Sequence, residues 1–263
     1  MKIEQLSMDN LREGLFCPAG TQFSHEWHGQ LEAWLDGGKL KGQIARDDDG
    51  EAVGFVLYYP IEKAPMEIGG DGLYMVQCIQ VKPSHDKGAV TKMLIESAIA
   101  DARSSGAAGI VAEGLREEEP IHGHVTATFL DNMGLTRGES RGFSTLYYVV
   151  FNEETEEPKY LPSRFDPPSN ETKLRVDIMD CRLCYVGIHN RETVLQAVQR
   201  SKSEDVEVVV HNTSTREAVI DKGFSSGVFV DGKLTFFRGP VTEADVMNAI
   251  RVANSARKRA TDR

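Results

Sequence analysis

A chain of 263 residues with 40 acidic against 30 basic side chains carries a formal net charge of −10, a poor match for the phosphates of nucleic acid. No apolar run approaches the roughly 20 residues that span a bilayer, and the opening Met1-Lys-Ile-Glu-Gln5 lacks the apolar stretch of a secretion signal. These features predict a cytoplasmic protein with no nucleic-acid or membrane partner, long enough for one large domain or two smaller ones.

In chain order, residues 2–6 read as a strand, Ser7 to Asn10 as the cap of a short helix, and residues 24–35 as a second helix. Residues 43–46 and 52–59 are strands joined through the hairpin turn Asp47-Asp-Asp-Gly50. Next come an apolar strand over residues 73–81 and a polar loop over residues 84–90. The helix after them carries Val90, Met93, Leu94, Ala98 and Ala102 on one face. A strand at 109–113, a helix at 125–133 stopped by Gly134, and a strand at 144–151 follow. Hairpins first and a crossover helix later predict an α/β domain with a mixed sheet flanked by helices.

Residues 152–171 change character, with Glu153, Glu154, Glu156 and Glu157 ahead of Pro158, Pro162, Pro167 and Pro168. Such a segment buries too little to fold alone and reads as a linker or a surface strap. Beyond it, residues 172–263 read as a second α/β unit. Its strands are 174–179 and 206–210, its helices 192–201, 216–222 and 242–256, and residues 227–237 form a hairpin turning at Asp231-Gly232. The basic side chains from Arg251 onward suit the C-terminus of the last helix.

Chemistry concentrates in residues 73–114. A helix entered from a polar loop at Gly88 presents unpaired N–H groups and a positive dipole end, a setting for a diphosphate. The backbone from Asp86 through Lys87, Gly88 and Ala89 to Val90 would face it, with His85 at the loop's start. Cys78, within the apolar strand, has no electropositive neighbour in sequence and reads as a buried thiol. Cys17 with His25 and His28 fits no closed zinc spacing, and no metal is expected. Cys181 and Cys184, at the start of a helix, are expected to have lowered pKa values; dithiol redox, soft-metal binding, a regulatory role and two inert thiols stay open for them.

The strand, loop and helix resemble the cofactor core of the GNAT superfamily of acyl-CoA-dependent N-acetyltransferases. Its Gln/Arg-x-x-Gly-x-Gly/Ala loop stands here as His85-x-x-Gly88-x-Val90, after Val81-x-Pro83, and Phe129-Leu-Asp-Asn-Met-Gly134 is similar to a later family motif. The resemblance covers roughly residues 1–150 and implies a GNAT-like sheet and acetyl-CoA as acyl donor. It also implies pairing of the donor's pantetheine with strand residues Cys78, Ile79 and Val81, and a small-molecule or peptide amine as acceptor. The family's thiolate-protonating tyrosine falls at Leu130 and its asparagine at Gly123, so His122, His124 and Glu113 become the candidates for proton transfer. Alternatives are a noncatalytic acyl-CoA sensor and a thiol-redox protein with a degenerate transferase domain. The βαβαββα order with Cys181-x-x-Cys184 after its first strand resembles the thioredoxin-like fold, although Ser226 stands near that fold's cis-proline position. Fusions in this order are similar to the YoaP-type proteins.

Overall fold

The computed structural model describes residues 1–17, 24–118, 123–167, 172–201, 205–237 and 239–261. Contacts divide the chain into two compact units. One comprises Met1–Thr21, His28–Ala64 and Ile68–Leu161; the other comprises Gln22–Trp27, Pro65–Glu67 and Pro162–Arg263.

The first unit contains β1 (Lys2–Gln5), α1 (Leu11–Gly14), most of α2 (Ser24–Asp36), β2 (Lys41–Arg46), β3 (Ala52–Pro60), β4 (Ile68–Gly69) and β5 (Leu73–Val81). It continues with α3 (Lys87–Ser104), β6 (Gly109–Leu115), β7 (Val125–Thr126), α4 (Ala127–Asn132), β8 (Thr136–Arg141), β9 (Ser144–Val150) and β10 (Lys159–Tyr160). One sheet runs in the order β1-β2-β3-β5-β6-β9-β8, with β7 on β6, and β10 pairs with β4 apart from it. Among the described residues of this unit only β5–β6 and β6–β7 are parallel; the remaining pairs are antiparallel. The mixed α/β character expected from the sequence is therefore present.

Side-chain alternation gives this sheet two apolar faces. Val56, Tyr58, Ile79, Val81, Ile110, Ala112 and Tyr147 join Val90, Leu94, Ala98 and Leu130 in one core beneath α3 and α4. Gly54 lets α3 approach, since a Cβ there would lie 2.9 Å from the Gln80 carbonyl and 3.0 Å from Val90 Cγ1. On the opposite face, Trp34 of α2 meets Tyr59 edge-on at 5.4 Å and Phe16 meets Phe55 in the same manner. An extra residue in β5, Gln77, stands between the partner pairs Leu57–Cys78 and Tyr58–Val76 as a bulge.

The departures from expectation are local. Residues 136–141, with no apolar alternation, form the largely exposed edge strand β8. The predicted helix 125–133 begins at Ala127, capped by Thr126 Oγ1 on the Phe129 N–H, because Val125 and Thr126 are drawn onto β6. α3 begins at Lys87, so Gly88 and Ala89 lie inside its first turn rather than in the loop.

The second unit contains β11 (Leu174–Asp180), α5 (Tyr185–Ser201), β12 (Val206–Asn212), α6 (Arg216–Lys222), β13 (Gly227–Val230), β14 (Lys233–Phe236) and α7 (Glu243–Thr261). Its sheet runs β12-β11-β13-β14, parallel across β11–β12 and antiparallel across the other pairs. Leu174, Val176 and Ile178 pack against Val194, Ala197, Val246 and Ile250 of α5 and α7. The hairpin turns through Asp231 at φ 51° and Gly232 at φ 78°, as a two-residue turn of the primed class requires. Thr242 and Asp245 cap α7 reciprocally. α5 starts at Tyr185 rather than at residue 192, taking in a polar turn that contains His189 and Asn190.

Candidate active site

β5 and β6 are paired only from Leu73–Gly109 to Met75–Val111 and then part. β6 turns to β7 through Gly114–Val125 and Leu115–Thr126, while β5 continues to Val81 without a strand on that edge among the described residues. The Lys82 N–H reaches back to the Val53 carbonyl at 2.8 Å, which turns the N–H groups of Ile79 and Val81 towards the gap. The gap is partly filled, because the Ile79 N–H donates to the Gly123 carbonyl at 2.9 Å. Pairing of Ile79 with an incoming amide, as expected from the sequence, is thus pre-empted; Val81 points the same way. Gly123 itself, at φ 86°, can be no other residue without strain, and its Cβ would stand 2.9 Å from Cys78 Sγ. Cys78 is half-buried rather than buried, with Gln80 Nε2 at 3.9 Å from its sulfur.

The loop before α3 also differs from expectation. Asp86 is the N-cap, its carboxylate accepting from the Ala89 N–H at 3.0 Å, and the Val90 N–H donates to the Asp86 carbonyl at 3.0 Å. Ala89 and Val90 are therefore removed from the expected anion cradle, and Val90 is wholly buried in the core. Lys87 and Gly88 keep first-turn amides with no carbonyl four residues back inside the helix. A Cβ on Gly88 would meet only Asp86 Oδ1 at 3.4 Å, so the protein alone does not demand glycine there. His85 is half-buried, with Nδ1 at 3.0 Å from Ser84 Oγ and Nε2 at 3.8 Å from Asp47.

Glu113 is not the solvated loop carboxylate that an acidic neighbourhood suggests. It lies on β6, 3 % exposed, and the Tyr160 hydroxyl donates to its Oε1 at 3.0 Å. Its neighbours in sequence, Ala112 and Gly114, are turned towards α3 and α4, so Glu113 faces the other side of the sheet. Cys78 and Gln80 face that side as well, since Ile79 and Val81 belong to the α3 core. His124 is half-buried next to Gly123, and His122 lies outside the described residues. Leu130 is fully buried, and so is Tyr147, whose phenol pKa is raised by burial and by the carboxylate of Asp131. Tyr74, under the Lys41 ammonium at 5.2 Å, is likewise committed to packing.

Tyr160 is the residue that sequence reasoning missed. In sequence it is an isolated aromatic in an acidic segment, yet it is 8 % exposed and pairs with Ile68 across β10–β4. A hydrophobic Tyr-Leu pair flanked by prolines was the only available signal.

In the second unit the cysteine expectation is reversed. Burial pushes the Cys181 thiol up to about 12, with Cys184 and Asp180 adding to it. Cys184, half-buried as a residue but desolvated at sulfur, is raised by burial too, against the opposing amides of Val186 and Gly187. The helix dipole loses to desolvation here. Arg182 between them adopts φ 57°. Two fully buried carboxylates also lie on β11. Asp177 accepts from Arg175 and sits 2.7 Å from His211 Nε2, and Asp180 accepts from Arg182 and Arg191. Among the described residues no group of three or more potential ligands is placed to hold a metal ion.

No family model matches the chain. The uncharacterized N-acetyltransferase YoaP of Bacillus subtilis is 21 % identical over 232 residues, which covers 87 % of this chain and 90 % of that protein. Among solved structures, an aminoglycoside 6'-N-acetyltransferase from Enterococcus faecium is 14 % identical, with a TM-score of 0.44 over 59 % of this chain and 100 % of its own. A GNAT-family acetyltransferase from Brucella melitensis, solved with acetyl-CoA, is 16 % identical, with a TM-score of 0.40 over 60 % of this chain and 94 % of its own.

Proposed function

We propose that the first unit is an acyl-CoA-dependent N-acyltransferase, with acetyl-CoA as its ordinary donor and a small-molecule or peptide amine as acceptor. The observation that carries the reading is the parting of β5 from β6 beside the start of α3. It gives an extended thioester arm a strand edge at Val81 and a diphosphate the first-turn amides of Lys87 and Gly88. The likeness to YoaP, spread over most of both chains, supports the same reading.

Acetyl-CoA, when bound, supplies the activated acyl carbon and the departing thiolate. Val81 would orient its pantetheine through the outward N–H, and Lys87 with the α3 dipole would hold its diphosphate. Glu113 is the base: a buried carboxylate on the face shared with Cys78 and Gln80, placed to accept the proton that the amine releases as its nitrogen–carbon bond forms. The carbon–sulfur bond breaks in the same transfer, and the thiolate takes a proton from solvent or from His124, because Leu130 has none to give. No covalent enzyme intermediate is required.

For the second unit the βαβαββα order, the sheet order β12-β11-β13-β14 and the position of Cys181 and Cys184 after β11 support a thioredoxin-like fold. The desolvated thiols favour a reduced, unreactive pair over a disulfide-exchange centre at neutral pH.

The test is direct. Thermal stabilisation by CoA or acetyl-CoA, but not by ATP, is expected at ligand concentrations well above Kd, followed by thioester consumption with members of an amine library. Equal stabilisation by ATP, or none by CoA, would remove the reading. Stabilisation without turnover on any amine would favour an acyl-CoA sensor.

A further inference from the structure

We infer that Tyr160 is a positioning residue for the acyl-transfer base, holding the Glu113 carboxylate in place and setting its proton affinity, so that the acidic segment after the sheet is part of the site. The inference rests on the acyltransferase reading above and adds to it a residue that lies beyond the last strand of the sheet.

Four restraints converge on this one tyrosine. Its hydroxyl donates to Glu113 Oε1 at 3.0 Å. Its N–H donates to Glu139 Oε2 at 2.8 Å, and its ring lies under the Arg141 guanidinium at 4.3 Å. Arg141 also donates to the next carbonyl, that of Leu161, at 3.1 Å, while β10 pairs with β4. A surface strap would need none of this. The segment is acidic and proline-bearing, and ordering its backbone opposes folding through lost conformational entropy. Its best-held residue is also the one whose hydroxyl ends on a carboxylate that is 3 % exposed.

The choice of partner matters chemically. Burial disfavours the charged carboxylate, and a hydrogen bond donated to it favours the charged form. A guanidinium would favour that form so strongly that a proton would not be accepted. A phenol, neutral at ordinary pH, offers this carboxylate a donor without adding a full countercharge of its own. Other titratable or charged groups on the surrounding elements are Glu139 and Arg141 on β8, Tyr148 on β9 with Glu157 near its hydroxyl, and His124 ahead of β7. Tyr148 shares the Glu113 face through its pairing with Val111, and its phenol pKa is raised by burial and by Glu157. Arg141 and Glu139 are spent on the ring and backbone of Tyr160. Their role is to fix the phenol.

The experiment compares the full-length parent with Tyr160→Phe, which keeps the ring and its stacking on Arg141. Two readouts are taken: the pH profile of kcat/KM with acetyl-CoA and an active amine, and a carbon-13 NMR titration of the glutamate carboxyls, with Glu113 assigned by its loss in Glu113→Gln. Removing the donor is expected to move the acid limb upward by about one pH unit and to lower kcat roughly 3- to 30-fold, with KM for acetyl-CoA unchanged. The Glu113 carboxyl resonance should shift its midpoint in the same direction. Glu139→Gln, which weakens only the backbone anchor, should give a smaller displacement of the same sign.

An unchanged carboxyl midpoint in Tyr160→Phe overturns the inference, whatever the activity does. An equal loss of kcat at every pH, with no movement of the limb, overturns it too and leaves Tyr160 as packing. If the parent consumes no thioester with any amine, the acyltransferase reading fails. The carboxyl titration still decides the coupling on its own: a raised midpoint supports it and an unmoved one removes it.

Discussion

Each of the two units buries carboxylates inside a sheet, and they satisfy them in opposite ways. Asp177 and Asp180 on β11 are met by guanidinium groups, from Arg175 in one case and from Arg182 and Arg191 in the other. Glu113 on β6 is met by a phenol. Arginine brings a full countercharge along with its donors. A phenol brings a donor and no countercharge of its own. On the proposed reading the difference in donor goes with a difference in use, an ion-paired strand in one unit and a base in the other.

The largest effect that would break this comparison lies in the second unit. Arg175→Leu keeps much of the side-chain bulk but leaves Asp177, which has no exposed surface, without its guanidinium. Loss of one partner of a buried pair typically destabilises by about 3–5 kcal/mol. Urea unfolding followed by probes assigned to residues 174–261 should show a midpoint shift of that order; a shift near zero would mean that His211 suffices. Glu113→Gln should instead leave stability close to the parent and lower kcat/KM by about 10²- to 10⁴-fold. An active Glu113→Gln protein would return the search for a base to His124.

Alkaline pH sharpens the contrast further. The Cys181 pKa is raised from 9.0 to about 12 in the folded state. Below 9 the thiol is neutral in both states and the second unit keeps its full stability. As pH rises towards 12 the unfolded chain ionises first, and stability falls. Alkylation of Cys181 should accordingly be slow at pH 8 and accelerate only with unfolding, whereas an exposed thiol would react in proportion to its thiolate. The smallest effect concerns Asp86. Asp86→Asn retains a side-chain cap on Ala89 and removes one negative charge from the first turn of α3, so CoA affinity should rise about 2- to 5-fold by titration calorimetry. Weaker binding would place the diphosphate elsewhere.

Much of the fold was legible because long elements carry their own signals. Residues 73–81 and 216–222 are bounded in the sequence as the structure has them, the first by its apolar run and Lys82-Pro83; for the second, the structure adds the caps Thr215 and Gly223. What failed had no local signal. β8 is polar on both faces and exists because β9 offers it an edge. The start of α3 moved because the Asp86 carboxylate competes for the amides that the loop was expected to offer a ligand. In the site, Glu113 was found as a carboxylate at the end of a strand, but its burial and its donor were invisible. Tyr160 comes 47 residues later and meets it only through tertiary packing. The reversal at Cys181 has the same origin: a helix dipole can be read from sequence, whereas the depth of a sulfur cannot.

The extra residue in β5 has a consequence for the arrangement as a whole. Because Gln77 has no opposite number on β3, Val76 and Ile79 lie on the same side of the sheet although an odd number of positions separates them. The strand is in effect two strands spliced out of phase: its first half is keyed to β6, and its second half is released from it. Deleting that one residue would straighten the splice and leave Cys78, Ile79, Gln80 and Val81 on the sides they now take, since Ile79 would then follow Val76 by ordinary alternation. What the extra residue changes is the bend and twist of the strand where it leaves β6, with the assignment of its faces untouched.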